Sequence, residues 1–260
     1  MLNQVSNPKN SLEIIPIPAF QDNYIWLLRR GSHAVVVDPG DAAPVISTLK
    51  QLSLTLDAIL ITHHHSDHID GVNELLQHAP ALVYAPKKEH YDFKHQAVEE
   101  NDVINLDTLD LQLKVMEVPG HTLGHVAYYG ANYLFCGDTM FGAGCGRLFE
   151  GTPEQMYGSL QRLAKLPPET AVYCTHEYTE HNLQFAWKLE ANNQALAQRI
   201  QQAAATRQAD KPTLPSSIAL ELATNPFLRC QMRDIQISSG TENSDPIEVF
   251  TAIREMRNHF

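Results

Sequence analysis

The stretch from Ile61 to Gly71, ITHHHSDHIDG, limits what this chain can fold into more than any other. It places four potential metal ligands, His63, His65, Asp67 and His68, within six residues. The run before it, Leu56-Asp57-Ala58-Ile59-Leu60-Ile61, is short and apolar, which predicts a buried strand. The run after it, Val72-Asn73-Glu74-Leu75-Leu76-Gln77, has helical spacing, with Asp67 and Asp70 near its start where acids are favourable. The cluster is therefore expected on a loop between a strand end and a helix start, where ligands of open α/β structures bind. In an extended segment His63 and His65 point one way and His64 the other, so the outer pair can chelate one ion. Asp67 and His68 follow the turn and suit a second ion alongside. A solvated His-rich loop is the bland alternative, but this ligand spacing between a buried strand and a helix is rare in ordinary loops.

Composition narrows the partners. The formal net charge is −11, with no Lys/Arg-rich run, which argues against a nucleic-acid backbone as partner. An anionic substrate would have to be captured by a local cationic patch. No run approaches a membrane span, and the N-terminal sequence MLNQVSNPKNSLEIIP has neither a basic nor an apolar signal region, so a cytoplasmic protein is expected, without a membrane partner. Cys136, Cys145, Cys174 and Cys230 show no C-x-x-C spacing and are expected to be buried reduced thiols.

Along the chain, Glu13 to Asp38 reads as three strands, Ala43 to Leu52 as an amphipathic helix, and Ala81 to Tyr84 as another short strand. Alternating Leu109, Leu111, Leu113, Val115 and Val118 predict antiparallel pairing between Val103 and Tyr129. Strands at 132–136 and 171–174 flank a helix from Pro153 to about Leu166, capped by Thr152. Asn182 to Ala209 is expected as one long helix and 211–217 as a Pro/Ser-rich linker. A last helix begins with Asp245 as N-cap and Pro246 at the first position. Residues 1–176 are read as one domain and 177–260 as a small helical domain packed on it.

The strand-end arrangement recurs at His121, Asp138 and His176. Each alone is an ordinary turn residue, but four successive strand ends carrying such groups point to convergence at one sheet edge. The collected set gives His63, His65 and His121 for one ion, Asp67, His68 and His176 for a second, and Asp138 as a bridge. Such a mixed N/O set suits zinc first, with iron or manganese as alternatives. An open site for two divalent ions points to hydrolysis, because metal binding lowers the pKa of water from about 15.7 to about 7. Asp67 is the residue expected to orient the bridging hydroxide. A thiolate leaving group would suit a site without an evident general acid.

The T-H-H-H-S-D-H run and the later ligands resemble those of the metallo-β-lactamase superfamily. The G-H-T of 120–122, C-G-D-T of 136–139, G-C-G-R of 144–147, H-E-Y of 176–178 and N-P-F-L-R of 225–229 are similar, more closely, to those of glyoxalase II, the hydroxyacylglutathione hydrolases. The resemblance implies an αββα sandwich with a small C-terminal all-helical domain. It implies hydrolysis of S-(2-hydroxyacyl)glutathione, typically S-D-lactoylglutathione, as the second step of methylglyoxal detoxification. It also implies that Arg254 and Arg257 grip the glycine carboxylate of glutathione, with Arg147 and Tyr178 contacting the substrate and Phe149 standing where a tyrosine is often found. The partner is then a small-molecule thioester, and a monomer is expected. A single-iron glutathione persulfide dioxygenase and a catalytically silent metal-binding scaffold are the competing readings.

Overall fold

Alternating apolar residues are resolved into two six-stranded sheets packed face to face, in a computed structural model that describes residues 11–260. The reading of residues 1–10 as lacking a signal segment lies outside the described residues. The first sheet is built in chain order from β1 (Glu13–Ala19), β2 (Asn23–Arg30), β3 (His33–Val37), β4 (Thr55–Leu60), β5 (Leu82–Pro86) and β6 (Gln96–Val98). Helices α1 (Ala42–Leu52), α2 (Ser66–Ile69) and α3 (Val72–His78) interrupt it. β1 to β3 pair antiparallel and β3 to β6 parallel. Both faces are covered, so the alternation separates two apolar sets. Ile25, Leu27, Val36 and Ile59 pack with Val45, Leu49, Val72 and Leu75 of α1 and α3. Trp26, Leu28, Val35 and Leu60 face the second sheet.

That second sheet has β7 (Val103–Leu106), β8 (Leu111–Glu117), β9 (Val126–Gly130), β10 (Tyr133–Gly137) and β13 (Ala171–Cys174) as neighbours. β7, β8 and β9 pair antiparallel, as the alternation predicts. Leu109 differs: it belongs to a 3-10 turn at Asp107–Leu109, closed by Asp110 at φ 47°. A small hairpin, β11 (Met140–Phe141) with β12 (Gly144–Cys145), follows β10. Helix α4 (Pro153–Leu163) begins with the full capping box of Thr152 and Gln155.

Two expectations for the remainder are corrected. The single helix from Asn182 to Ala209 is two helices, α5 (Thr179–Leu189) and α6 (Gln194–Gln208). Asn193 caps α6 by accepting from Leu196 N, and Glu190 is drawn into a partly buried pair with Arg229 at 2.7 Å. Local capping and a tertiary ion pair thus override a helix-favouring composition. The stretch 211–217 is not a free linker: Leu214 is buried, and Ser216–Ser217 form β14, which pairs antiparallel with Ala171 and Val172. Helices α7 (Ile218–Thr224), α8 (Arg233–Ser238) and α9 (Pro246–Asn258) complete the chain, α9 being capped by Asp245. Among the described residues no helix is long and apolar enough to cross a membrane. The architecture is an αββα sandwich with a C-terminal helical region.

The sheets are bonded directly at one edge. Val126 N donates to Thr62 O at 2.9 Å and Tyr24 N to Thr175 O at 2.7 Å. Beside them the fully buried Tyr128 hydroxyl donates to Ile61 O at 2.6 Å, and Trp26 Nε1 donates to Cys174 O at 2.9 Å. Tyr128→Phe removes one such bond and strands a buried carbonyl, which costs about 1–3 kcal/mol. Urea denaturation should show a lower midpoint with an unchanged m-value; an unchanged midpoint would mean that the bond contributes nothing to stability.

Candidate metal centre

The bonded edge is where the polar residues collect. After β4 the chain stays extended through His65, whose φ of −63° and ψ of 146° lead into the single turn of α2. His63 Nε2 and His65 Nδ1 lie 3.1 Å apart, and His121 Nε2 lies 3.0 Å from the same His65 nitrogen. His64 turns away towards Glu89 and Glu150, each at 3.3 Å. α2 carries Asp67 and His68 inward: Asp67 Oδ2 is 3.5 Å from His68 Nε2 and 3.4 Å from His176 Nε2. Asp138, delivered by the end of β10, stands between the trios. Its Oδ2 is 3.5 Å from His121 Nε2 and 3.4 Å from His176 Nε2, and its Oδ1 is 3.5 Å from His68 Nε2. The structure thus brings together all seven side chains named from the sequence as ligands.

Backbone crowding makes the convergence possible. A Cβ on Gly40 would lie 1.9 Å from Asp67 O, and one on Gly146 would lie 2.0 Å from Asp138 O. Both glycines let a neighbouring loop press directly onto ligand-bearing backbone.

The donor set fits divalent cations. His121 Nδ1 donates to Arg147 O at 2.8 Å and His176 Nδ1 to Asp22 Oδ1 at 2.8 Å, so each ring is fixed from outside and presents Nε2 inward. His68 Nδ1 lies 3.0 Å from Asp38 Oδ2. Among the described residues, both ring nitrogens of the buried His68 and Asp138 Oδ1 have no hydrogen-bond partner, so the His68–Asp38 contact is one of charge. Nitrogens each about 2.0–2.1 Å from one tetrahedral zinc lie roughly 3.3 Å apart, close to the separations here. Lone pairs held so near one another in a dry site are satisfied by a cation, and three groupings offer that geometry: His63/His65/His121, His63/His68/Asp138 and Asp67/His68/His176.

Electrostatics divides the centre. Burial, reinforced by His68 and His125, pushes His63 well below the ordinary imidazole range; burial also lowers His65 and His121. These three candidate ligands are held towards the neutral form. Burial opposes charge at His68 too, but Asp138 and Asp38 outweigh it and raise His68 to about 10. Asp138, despite its desolvation, is held well below the carboxylate range by His176 and His68. The Asp67/His68/His176 side is therefore a strongly negative field that favours positive charge at its centre.

A cleft of about 260 Å³ opens directly onto His121 and Asp138, and Arg147, Tyr178, Arg254 and Arg257 line it. Tyr178 stacks on His176 with centroids 4.7 Å apart and planes 4° from parallel. Arg254 is 6% exposed rather than solvated, and its Nη1 donates to Cys145 O at 2.8 Å. Arg257 donates to Asn182 Oδ1 through Nε at 3.2 Å and Nη2 at 3.1 Å. Phe149 is 60% exposed and stands edge-on to His65 and His121, with centroids 5.3 and 5.2 Å away.

Comparison with known proteins places the chain in a family. The metallo-beta-lactamase superfamily model matches residues 20–176, and the model for the hydroxyacylglutathione hydrolase C-terminus matches residues 177–260. The hydroxyacylglutathione hydrolase of Methylobacillus flagellatus is 60% identical over 95% of this chain and 99% of its own length. The chain belongs to the hydroxyacylglutathione hydrolase family. Its namesake from Aeromonas hydrophila is 50% identical, again over 95% of this chain and 99% of its own. Among solved structures, the BLEG-1 B3 metallo-beta-lactamase superposes with a TM-score of 0.62 at 25% identity, covering 84% of this chain and 99% of that one. TTHA1623 in a di-iron-bound form gives 0.60 at 25%, covering 82% and 100%. For ETHE1 from Myxococcus xanthus the TM-score is 0.64 at 24% identity, covering 95% and 97%, a likeness of fold. A metallo-β-lactamase fold carrying these His/Asp groups supports divalent metal binding in this hydroxyacylglutathione hydrolase family member.

The residues that orient the ligands escaped the sequence reading. Asp38 also accepts from Thr62 N and Thr62 Oγ1, each at 2.7 Å, and Asn23 Nδ2 donates to Asp67 Oδ2 at 2.9 Å. Asp38-Pro39-Gly40 reads as a strand terminator, Asn23 as the start of a strand, and Asp22 carries no signal of its own. Asp22→Ala should weaken metal affinity about 10–100-fold, the usual effect of losing an outer partner of a ligating histidine. Competition against a chelating indicator reads this directly, and wild-type affinity would detach Asp22 from the centre.

Proposed function

We propose that the chain hydrolyses S-(2-hydroxyacyl)glutathione, typically S-D-lactoylglutathione, to glutathione and the 2-hydroxy acid, with two divalent ions as cofactors. The observation that carries this reading is the juxtaposition of the Arg147/Tyr178/Arg254/Arg257 cleft with the seven-donor cluster. We assign His63, His65 and His121 to one ion, Asp67, His68 and His176 to the other, and Asp138 to both. Zinc is the first choice for this N/O set, with iron or manganese as alternatives, and the di-iron form of TTHA1623 supports a pair of ions. Bound there, such ions would polarise the thioester carbonyl and make water available as a nucleophile near neutral pH.

The chain's own groups do the rest. Asp67 is kept anionic: burial works against the charge, but the His176 and Asn23 bonds and the His68 charge hold it far below the carboxylate range. We assign it the orientation of the attacking water. Arg254 lines the cleft with Nη1 tied to Cys145 O, which sets its fixed positive charge beside the place a substrate carboxylate would take. Arg257, lowered by burial and then by the Arg254 charge, shares that electropositive wall. Tyr178, stacked on His176, stands at the inner end of the cleft, where the thiol portion would lie. A thiolate with a pKa of about 8.5 leaves without a dedicated proton donor, which suits a site lacking one.

In this reading residues 1–176 form the metal hydrolase domain and 177–260 the substrate-binding domain of a cytoplasmic monomer. Four free, buried cysteines fit a reducing compartment. Two distinct donor trios, not one, favour it over a single-iron dioxygenase or a silent scaffold.

The metal-loaded protein is expected to hydrolyse S-D-lactoylglutathione, and removal of the ions by a chelator to abolish turnover. Arg254→Ala/Arg257→Ala should raise KM about 10–100-fold with kcat little changed, the signature of lost ground-state binding. A fully metallated protein that leaves the thioester intact would refute the assignment.

A further inference from the structure

The β11–β12 hairpin connects Asp138 to Arg147, and side chains of the helical region hold each of its residues from 141 to 145. Asn225 Nδ2 donates to Gly144 O at 2.9 Å and Phe141 O at 3.4 Å, and Asn182 Nδ2 to Gly142 O at 3.1 Å. Arg254 Nη1 donates to Cys145 O at 2.8 Å. Ala143, at a left-handed φ of 54°, donates its N–H to Glu221 Oε2 at 2.9 Å. Glu221 is the hub of this arrangement. It is fully buried and receives Ala143 N and Asn225 Nδ2 on Oε2, and Arg199 Nη2 at 2.6 Å and Ser216 Oγ on Oε1. Arg199, itself 4% exposed, is anchored through Nη1 to Thr224 Oγ1 at 2.6 Å.

We propose that Glu221, with Arg199 as its counter-ion, is a positioning residue for the reaction: it fixes the hairpin that sets the cleft wall and the ring of His121. The assignment rests on the thioesterase reading given above. An apolar pair could join α6 to α7 as well as a buried ion pair does. It could not accept the Ala143 N–H or orient Asn225. Four donors converge on the carboxylate, and only a group with two acceptor oxygens and no hydrogen satisfies them all. Beyond the hairpin the effect passes through short links. Cys145 and Arg147 line the cleft, and Arg147 O accepts from His121 Nδ1 at 2.8 Å.

The test is Arg199→Met/Glu221→Gln, which removes both charges together and leaves neither uncompensated. Asn225→Ala, which keeps the ion pair and removes the side chain that Glu221 orients onto Gly144 O, is the second variant should the double variant fold poorly. Amides of residues 140–147 are expected to exchange with deuterium about tenfold faster than in the wild type, with and without metal, while the β-sheets keep their protection. KM for S-D-lactoylglutathione should rise about tenfold with kcat within about threefold, as expected when binding geometry and not folded fraction has changed. Wild-type exchange in that segment with wild-type KM, accompanied only by a lower melting temperature, would reduce Glu221 to a structural ion pair and overturn the proposal. Wild-type protein that fails to turn over the thioester would overturn the function while leaving the exchange comparison to judge the hairpin.

Discussion

At one edge of the sandwich the two sheets come within hydrogen-bonding reach of each other instead of standing a side-chain layer apart. Packed sheets normally lie about 10 Å from face to face, with side chains filling the gap. Here backbone bonds from Val126 to Thr62 and from Tyr24 to Thr175 draw the ends of β4 and β13 against the opposite sheet. Every loop that carries a candidate ligand leaves from this pinched edge. The Ile61–Gly71 stretch follows β4, His121 follows β8, Asp138 follows β10 and His176 follows β13. The apolar core below fixes those strand ends, so seven polar side chains can be held at 3.0–3.5 Å spacing.

The same edge explains how charge is distributed. Carboxylates sit outside the rings as well as among them: Asp22 behind His176 and Asp38 behind His68. Each orients an imidazole and adds negative potential, while the trio of His63, His65 and His121 is kept neutral largely by burial. A cation enters a field that is asymmetric before it arrives. The cleft continues that asymmetry with opposite sign, because its far wall is arginine. An overall charge of −11 therefore says little about what the site attracts; the local arrangement decides.

Much of this was readable in the sequence because period-two alternation and strand-end chemistry are local signals. β1 to β4, the β7–β9 pairing and the Thr152 and Asp245 caps follow from residues close to one another in the chain, and the seven clustered candidate ligands each stand just past a strand that such local signals mark. What escaped depends on distant partners. The break between α5 and α6 is set by Asn193 and by Glu190 reaching Arg229, far along the chain. Ser216-Ser217 carries no strand propensity and becomes β14 only because β13 offers it an edge. Arg254 and Arg257 lie in the last turns of α9, where cations are usually solvated, and their burial is decided by the hairpin at 144–146 and by Asn182. Asp38 reads only as the end of a strand, and nothing near Asp22 in the chain points to its partner His176.

The pairing of β14 with β13 has a consequence for how the protein can be divided. A fragment ending after His176 would retain every candidate metal ligand but would leave the backbone of Ala171 and Val172 unpaired along an open edge strand. Such an edge is a template for pairing with other chains, so the catalytic half expressed alone would be prone to self-association. The helical portion therefore acts as a built-in cover for the sheet as well as a wall of the cleft. A shuffled or trimmed version of this enzyme would have to supply a substitute strand before it could remain dispersed in solution.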